Sequence, residues 1–379
     1  TITLTITDGD IPTIDAVPSV TLSETNLADG SAPNAGAISS TQTITFTNQS
    51  DDVVRFRIEP TEFNTNDALK SNGLAVELRE DPQGSGNYIG FTTSSSNVET
   101  TVFTLDFNSA TLGEYTFTLI EALDHQDARG NNDLSFNLPV YAVDSDGDDS
   151  LVSQLGVTIG DDVQLMLGGT ITSREPASAV ETSNTLDVMP SQSADGAKIT
   201  SFVFDGNTAE SLDLNVNGEQ EFVFTEGSVF ITTEGEIRFE PVRNQNHAGG
   251  DITKSIEVTS VDLDGDIVTS TVTLKIVDGD LPTIDLVPGI TLSEVDLADG
   301  SVPTGNPVTM TQNITYIAGS DDVSHFRIDP TQFNTSGALK SNGLDVQIKE
   351  QPADSGNYIG FVKDGSNVET NVFTISFST

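Results

Sequence analysis

The sequence predicts an all-β chain of tandem β-sandwich domains joined by short acidic linkers, and three observations predict it. A long stretch repeats itself, short runs alternate apolar and polar residues with period two between Gly, Asn and Asp turns, and helical periodicity is nearly absent. The repeat has a spacing of 270 residues: Asp8-Gly-Asp-Ile-Pro-Thr-Ile-Asp15 returns as Asp278-Gly-Asp-Leu-Pro-Thr-Ile-Asp285. The register then holds without an insertion to Thr379, the counterpart of Ser109. About three-fifths of those positions are unchanged, the mark of a tandem array whose unit contains more than one domain. A chain of 379 residues, 35% of them hydrophobic, can bury several cores.

Thr1-Ile-Thr-Leu-Thr-Ile-Thr7 alternates like the end of an internal unit, Thr271-Val-Thr-Leu-Lys-Ile-Val277. Residues 1–10 therefore read as the last strand of a preceding domain plus a linker, and the chain as a piece of a longer repetitive protein. A first, longer domain is expected over 11–160. Its clearest strands are Thr41-Gln-Thr-Ile-Thr-Phe-Thr47, Val53-Val-Arg-Phe-Arg-Ile58, Thr101-Val-Phe-Thr-Leu-Asp-Phe107 and Tyr115-Thr-Phe-Thr-Leu-Ile120. One short helical turn is predicted around 66–70. A second domain is expected over 161–280, with a meander through 221–225, 229–233 and 236–240 and turns at Glu226-Gly227 and Glu234-Gly235. Residues 281–379 form a partial second copy of 11–160. Because the copy stops at the counterpart of Ser109, the sequence leaves open whether 110–160 packs with 11–109 or forms part of a split, two-lobed sandwich.

Charge is the second constraint. Against 58 acidic residues stand 15 basic ones, a formal net charge of -43. Nucleic acid is excluded as a partner, because phosphate binding needs clustered Lys and Arg. Such self-repulsion weakens a compact state unless cations neutralise part of it. Alternating strands throughout argue against the disorder that an acidic composition otherwise suggests. No run of about 18 apolar residues is present, so no membrane insertion of this segment is expected. Cysteine is absent, which suits bacterial export without oxidative folding and leaves bound metal as the remaining staple.

The acidic motifs carry the chemistry. Val143-Asp-Ser-Asp-Gly-Asp148 and Val261-Asp-Leu-Asp-Gly-Asp266 each follow a strand, and each leads through a last strand into an acidic linker. Asp144, Asp146 and Asp148, like Asp262, Asp264 and Asp266, set three carboxylates around a glycine that lets the backbone turn. Hard divalent cations taking six to eight oxygens, Ca2+ above all, suit such a set. It is not an EF-hand: Thr273 and Leu155 stand where a bidentate Glu would be required. The linker acids Asp8, Asp10, Asp161, Asp162, Asp278 and Asp280 lie between consecutive domains. A cation held by the end of one sandwich and the start of the next would set their relative angle, so the expected partners are calcium ions and neighbouring domains of the same chain, in a monomeric rod. Glu24, Asp29, Glu294 and Asp299 flank turns near these linkers and complete the candidate ligand set. The competing reading of Asp-Gly-Asp is a solvated turn.

Other sites read weakly. His125, His247 and His325 form no spaced pair with another His or with Cys, so a zinc or other transition-metal site is not expected. No Gly-x-Ser-x-Gly elbow is present and an enzyme is not expected. Tyr88, Phe91, Tyr358 and Phe361 suit a carbohydrate platform but suit packing better.

Val-Asp-x-Asp-Gly-Asp, a strand, then Asp-Gly-Asp-x-Pro-Thr-Ile resembles the Ig-like extender modules of giant, type I-secreted RTX adhesins of Gram-negative bacteria. Phe239-Glu-Pro-Val-Arg-Asn-Gln-Asn-His247, followed by Ser255-Ile-Glu-Val-Thr-Ser-Val-Asp262, is similar to the end of such a module. The resemblance is close over 163–285 and looser over 11–160. It implies Ig-like sandwiches with calcium-binding linkers, and a cell-surface spacer that projects adhesive domains for attachment and biofilm formation. The alternative is a glycan- or host-protein-binding module on the same scaffold, with a calcium-dependent hydrolase third.

Overall fold

A computed structural model describes the chain except for residues 1, 6–8, 34, 37, 67, 126–129, 131, 178–183, 305–307, 354 and 379. It divides into two compact units. Unit 1 holds Thr1–Ser173, Thr182–Glu240 and Asp251–Ile276; unit 2 holds Arg174–Glu181, Pro241–Gly250 and Val277–Thr379.

The first sandwich of unit 1 begins with β1 (Thr13–Ala16), β2 (Val20–Ser23), β3 (Ser39–Thr43), β4 (Thr45–Thr47) and β5 (Val53–Ile58). It continues through β6 (Lys70–Ser71), β7 (Leu74–Ala75), β8 (Glu77–Glu80) and β9 (Tyr88–Thr93). The last strands are β10 (Glu99–Phe107), β11 (Glu114–Leu119), β12 (Asp133–Asp144) and β13 (Ser153–Gly160). One sheet runs β3-β11-β10-β9-β8 and the other β2-β13-β12-β5. Strands from 110–160 thus lie inside both sheets, next to strands from 11–109. Period-two burial, as along β11 and β13, turns one face of each sheet inward. Phe103 and Phe117 of one sheet meet Phe136 of the other at ring-centroid distances of 5.8 and 6.3 Å. The expected strand 41–47 is interrupted at Ile44, which is buried and donates its N–H to the Gly113 carbonyl instead.

The second sandwich of unit 1 comprises β14 (Gly169–Arg174), β15 (Leu186–Asp187), β16 (Lys198–Phe204), β17 (Ala209–Ser211), β18 (Gln220–Val223), β19 (Gly227–Ile231), β20 (Glu236–Pro241), β21 (Ile252–Val261) and β22 (Ile267–Val277). Sheets β14-β22-β21-β16-β17 and β15-β20-β19-β18 enclose a separate core around Phe202, Phe204, Ile231, Phe239 and Val258. The β21–β22 hairpin pairs without a break from Ile252↔Ile276 to Val261↔Ile267. Its turn, which carries Asp262, Asp264 and Asp266, therefore lies about 30 Å along the hairpin from Ile276.

Unit 2 contains β23 (Thr283–Leu286) paired with β24 (Thr315–Ile317), β25 (Lys340–Ser341) paired with β26 (Leu344–Asp345), and the sheet of β27 (Gln347–Glu350), β28 (Asn357–Lys363) and β29 (Glu369–Ser376). The counterparts of β2, β3 and β5, at 290–293, 309–313 and 323–328, carry no strand. In unit 1 those three strands pair with β13, β11 and β12, whose counterparts are not among residues 281–379. Leu22 is 8% exposed and its counterpart Leu292 52%. The same local sequence is a strand only where a partner completes its hydrogen bonds and covers its face.

One local expectation fails. Among the described residues of 66–70 no helix forms: Asn64, at φ 44°, closes the loop by donating from Nδ2 to the carbonyls of Leu69 and Val76 and accepting from Leu69 N–H. Residues 2–5 carry no strand, and Ile2 and Leu4 are exposed. The aromatic candidates Tyr88, Phe91, Tyr358 and Phe361 are all buried and form packing rather than a platform.

Candidate metal centre

Each element of unit 1 delivers its acid for a local reason. Glu24 opens a 3-10 turn, Glu24–Asn26, capped by Ser23 at the end of β2. Its Oε1 accepts the Leu123 N–H at 2.8 Å, and Oε2 is buried with no hydrogen-bond partner. His125 follows β11 on a segment tied to Lys70 and Ser71 by the Asp124 N–H and the Ala122 carbonyl. Asp161 leaves β13 and donates its backbone N–H to the Asn132 carbonyl, so its carboxylate turns inward, where neither oxygen is bonded. In the β21–β22 turn, Asp262 Oδ1 accepts the N–H groups of Gly265 (3.1 Å) and Asp266 (2.6 Å). Gly265 adopts φ 100°, which only glycine takes without strain. That leaves Asp262 Oδ2, Asp264 Oδ1 and Asp266 Oδ2 buried and unpartnered. The turn 144–148 repeats the pattern, with Asp144 Oδ1 accepting from Gly147 and Asp148.

These groups converge in three linked triads: Glu24, His125 and Asp161; Asp161, Asp195 and Asp264; Asp262, Asp264 and Asp266. Within each, ligand atoms lie within 4.8 Å of one another. Two oxygens on opposite sides of a Ca2+ ion at about 2.4 Å would be about 4.8 Å apart, so each triad is small enough to share one ion. Among the described residues no Lys or Arg forms a salt bridge to any of the six carboxylates. Burial, then the neighbouring charge of Asp264, pushes the Asp161 carboxyl up to about 6, and burial with Glu24, Asp264 and Asp161 pushes Asp195 to about 9. Asp262 rises to about 8 through burial and its contact with Asp264. Burial raises Glu24 against the opposing pull of His125. Desolvation alone would lower His125, but the surrounding Glu24, Asp161 and Asp264 raise it. A buried anionic set that holds protons this tightly favours any cation that can replace them, and the orphaned oxygens match the hard donors of Ca2+.

The other sequence candidates fall in different places. Asp144 and Asp146 join Asp51 in a further triad, while the Asp148 side chain is exposed. Asp162 is bonded throughout: it accepts from Ser31 N–H at 2.7 Å, from the Ser31 hydroxyl and from Ala194 N–H at 2.9 Å, tying the two sandwiches of unit 1 together. Asp10 bonds Ser50 through its backbone, and Asp8 lies outside the described residues. In unit 2, Asp278 joins Glu175 and His247, and Asp280 pairs with Arg174 at 2.7 Å. Asp29, Glu294 and Asp299 are exposed and belong to no triad among the described residues.

Asp195, Asp51 and Glu175 escaped the sequence reading, and His125 and His247, set aside there for want of a spaced His or Cys, stand beside carboxylates instead. For Glu175 a signal existed: Glu24, Glu175 and Glu294 each stand fourteen positions after a linker acid, Asp10, Asp161 and Asp280. Asp195 sits in an ordinary Ser-Ala-Asp-Gly loop and had none.

No protein-family model and no curated protein matches this chain. Solved structures similar to it include Drosophila N-cadherin EC1-3 (12% identity over 71% of this chain and 68% of that one, TM-score 0.22). The D00-D0 domain of intimin gives 10% identity, 71% and 99% coverage and a TM-score of 0.20. Extracellular cadherin domains 1-4 of protocadherin gamma B7 give 11%, 98%, 76% and 0.23. Overlays this poor carry no argument, and the tandem-sandwich fold rests on the sheets and cores themselves. Among the described residues no helix is long and apolar enough to cross a membrane, which says nothing of β-barrels.

Proposed function

We propose that this chain is an extender region of a calcium-dependent RTX-type adhesin on a bacterial cell surface, a spacer that projects adhesive domains for attachment and biofilm formation. The observation that carries the reading is the linked set of buried carboxylates in unit 1, drawn from the end of one sandwich and from a turn of the next. Asp161 from the first and Asp195, Asp262, Asp264 and Asp266 from the second would hold Ca2+ in the two all-carboxylate triads and so couple the two bodies. Asp51, Asp144 and Asp146 would hold a further ion. In low-calcium cytosol these carboxylates repel one another, which suits type I export of an unfolded chain and folding outside. At a hundredfold excess over Kd, each ion stabilises the folded state by about 2.7 kcal/mol.

The ligand-binding alternative loses its sequence support, since the aromatic residues offered for it are buried. Small-angle scattering and thermal melts of the chain in Ca2+ and in excess EDTA test the proposal. Higher melting temperatures and a longer, narrower particle in Ca2+ are expected. Profiles and melts unchanged by chelation would reduce the acidic turns to solvated loops.

A further inference from the structure

We infer that the triads Glu24–His125–Asp161 and Glu175–His247–Asp278 are binding sites for a first-row transition-metal dication of the Zn2+ class, separate from the all-oxygen calcium sites. Two unlike domain sequences build the same arrangement. A Glu follows an early strand (β2 or β14), a His lies in the loop before the penultimate strand (β12 or β21), and an Asp follows the last strand (β13 or β22).

The donors are chemically distinct from the acidic turn. Ca2+ takes oxygen, whereas an imidazole nitrogen beside two carboxylates suits Zn2+ and its neighbours. His125 Nε2 lies 3.3 Å from Glu24 Oε1, and His247 Nε2 lies 3.5 Å from Glu175 Oε2. Two ligands bonded to one tetrahedral Zn2+ at about 2.1 Å stand about 3.4 Å apart, the spacing of the His–Glu pair in each triad, and the Asp oxygens lie within 4.8 Å of both. Neither contact is aligned as a hydrogen bond: both Nε2 atoms, together with Glu24 Oε2, Glu175 Oε2 and both Asp161 oxygens, are buried without a hydrogen-bond partner. The Glu24 and His125 side chains are 0% and 1% exposed, and that of Glu175 0%. Two backbone groups orient the second triad. His247 Nδ1 is 3.3 Å from the Gly250 carbonyl, which selects the Nδ1–H tautomer and leaves a lone pair on Nε2. Gln245 N–H donates to Glu175 Oε1 at 2.7 Å and aims Oε2 at the ring. A metal ion between Nε2 and the carboxylate oxygen would take one bond from each. At the first triad Asp161 has two unbonded oxygens, one for this ion and one for the neighbouring all-carboxylate triad.

The chain contains three histidines, and exposed His325, beside Ser324, supplies an internal control. The test is a Zn2+ titration of the whole chain, with Ca2+ present in excess, followed by imidazole NMR and calorimetry. Two equivalents are expected to bind, with the His125 and His247 resonances shifting and that of His325 unmoved. His125→Ala/His247→Ala is expected to bind neither equivalent. His247→Ala alone, at the less buried ring, should lose one and keep the His125 response. Co2+ in place of Zn2+ should give visible absorption of tetrahedral character in the wild-type chain, about half of it in His247→Ala and none in the double variant. The inference is overturned if the His125 and His247 signals move no more than that of His325, or if the double variant binds Zn2+ as the wild type does. Failure of the calcium reading would appear separately, as melts indifferent to EDTA.

Discussion

Replacing Asp161 by Asn should move stability in opposite directions with and without calcium. The carboxylate is 1% exposed, neither oxygen is hydrogen-bonded, and it belongs to two triads. In the metal-free chain its carboxyl is pushed to about 6, first by burial and then by Asp264. Against an ordinary aspartate near 3.9, two units at 1.36 kcal/mol each place about 3 kcal/mol against folding once the group is ionised. Asn removes that charge but leaves a polar amide in the pocket, so a net gain of about 1–3 kcal/mol is expected at pH 8 in chelator. In saturating Ca2+ the variant loses a shared ligand and with it on the order of 2.7 kcal/mol of binding stabilisation. For domains of this size, that corresponds to melting shifts of roughly 3–10 °C, upward in EDTA and downward in Ca2+. Differential scanning calorimetry of both proteins in both buffers reads it directly. A shift of the same sign in the two buffers would refute the view that Asp161 is a cation ligand held at electrostatic expense.

The metal-free chain should lose stability as pH rises from 5 to 9. Asp161, Asp262 and Asp195 have folded values of about 6, about 8 and about 9, above the unfolded value. Their protonated forms therefore favour folding fully below about pH 4, and the contribution disappears as pH climbs through those values. His125, also raised, adds in the same direction; urea midpoints in chelator should fall steadily, and a flat profile would contradict the burial argument. Asp162→Ala should destabilise by about 2–3 kcal/mol equally in Ca2+ and EDTA, because it strands the Ser31 and Ala194 N–H groups rather than a metal ligand. Gly90→Ala should cost about 2–3 kcal/mol by denaturant melts, since a Cβ there would stand 2.3 Å from the fully buried Phe103 ring. Gly360→Ala, which meets the half-exposed Phe373 at 2.4 Å, should cost less because that ring can yield.

Much of the fold was legible because period-two burial is a local property. Val53–Ile58 appears as read, and 101–107 and 236–240 fall inside the strands Glu99–Phe107 and Glu236–Pro241. The acidic turns were legible because the conformation demanded of Gly147 and Gly265 and the bonding of Asp144 and Asp262 lie within five residues. The failures share a cause: they depend on remote partners. Asn64 overrides a helical turn through bonds to Leu69 and Val76, and 290–293 lacks the strand that its counterpart Val20–Ser23 forms on β13. His125 looked unpaired because its neighbours, Glu24 and Asp161, are sequence-distant carboxylates rather than a spaced His or Cys.

By itself the sequence determined the class of the protein: repeated sandwiches, a large acid excess, and turns built to present carboxylates. Those follow from alternation, composition and glycine, which act over a few residues. Only the tertiary structure decided which acids meet. The unbroken pairing of Ile252–Val261 with Ile267–Val277 carries Asp262, Asp264 and Asp266 to the far end of their hairpin from Ile276, where they join Asp161 of the linker before them. The length of a hydrogen-bonded hairpin, not proximity along the chain, sets that partnership.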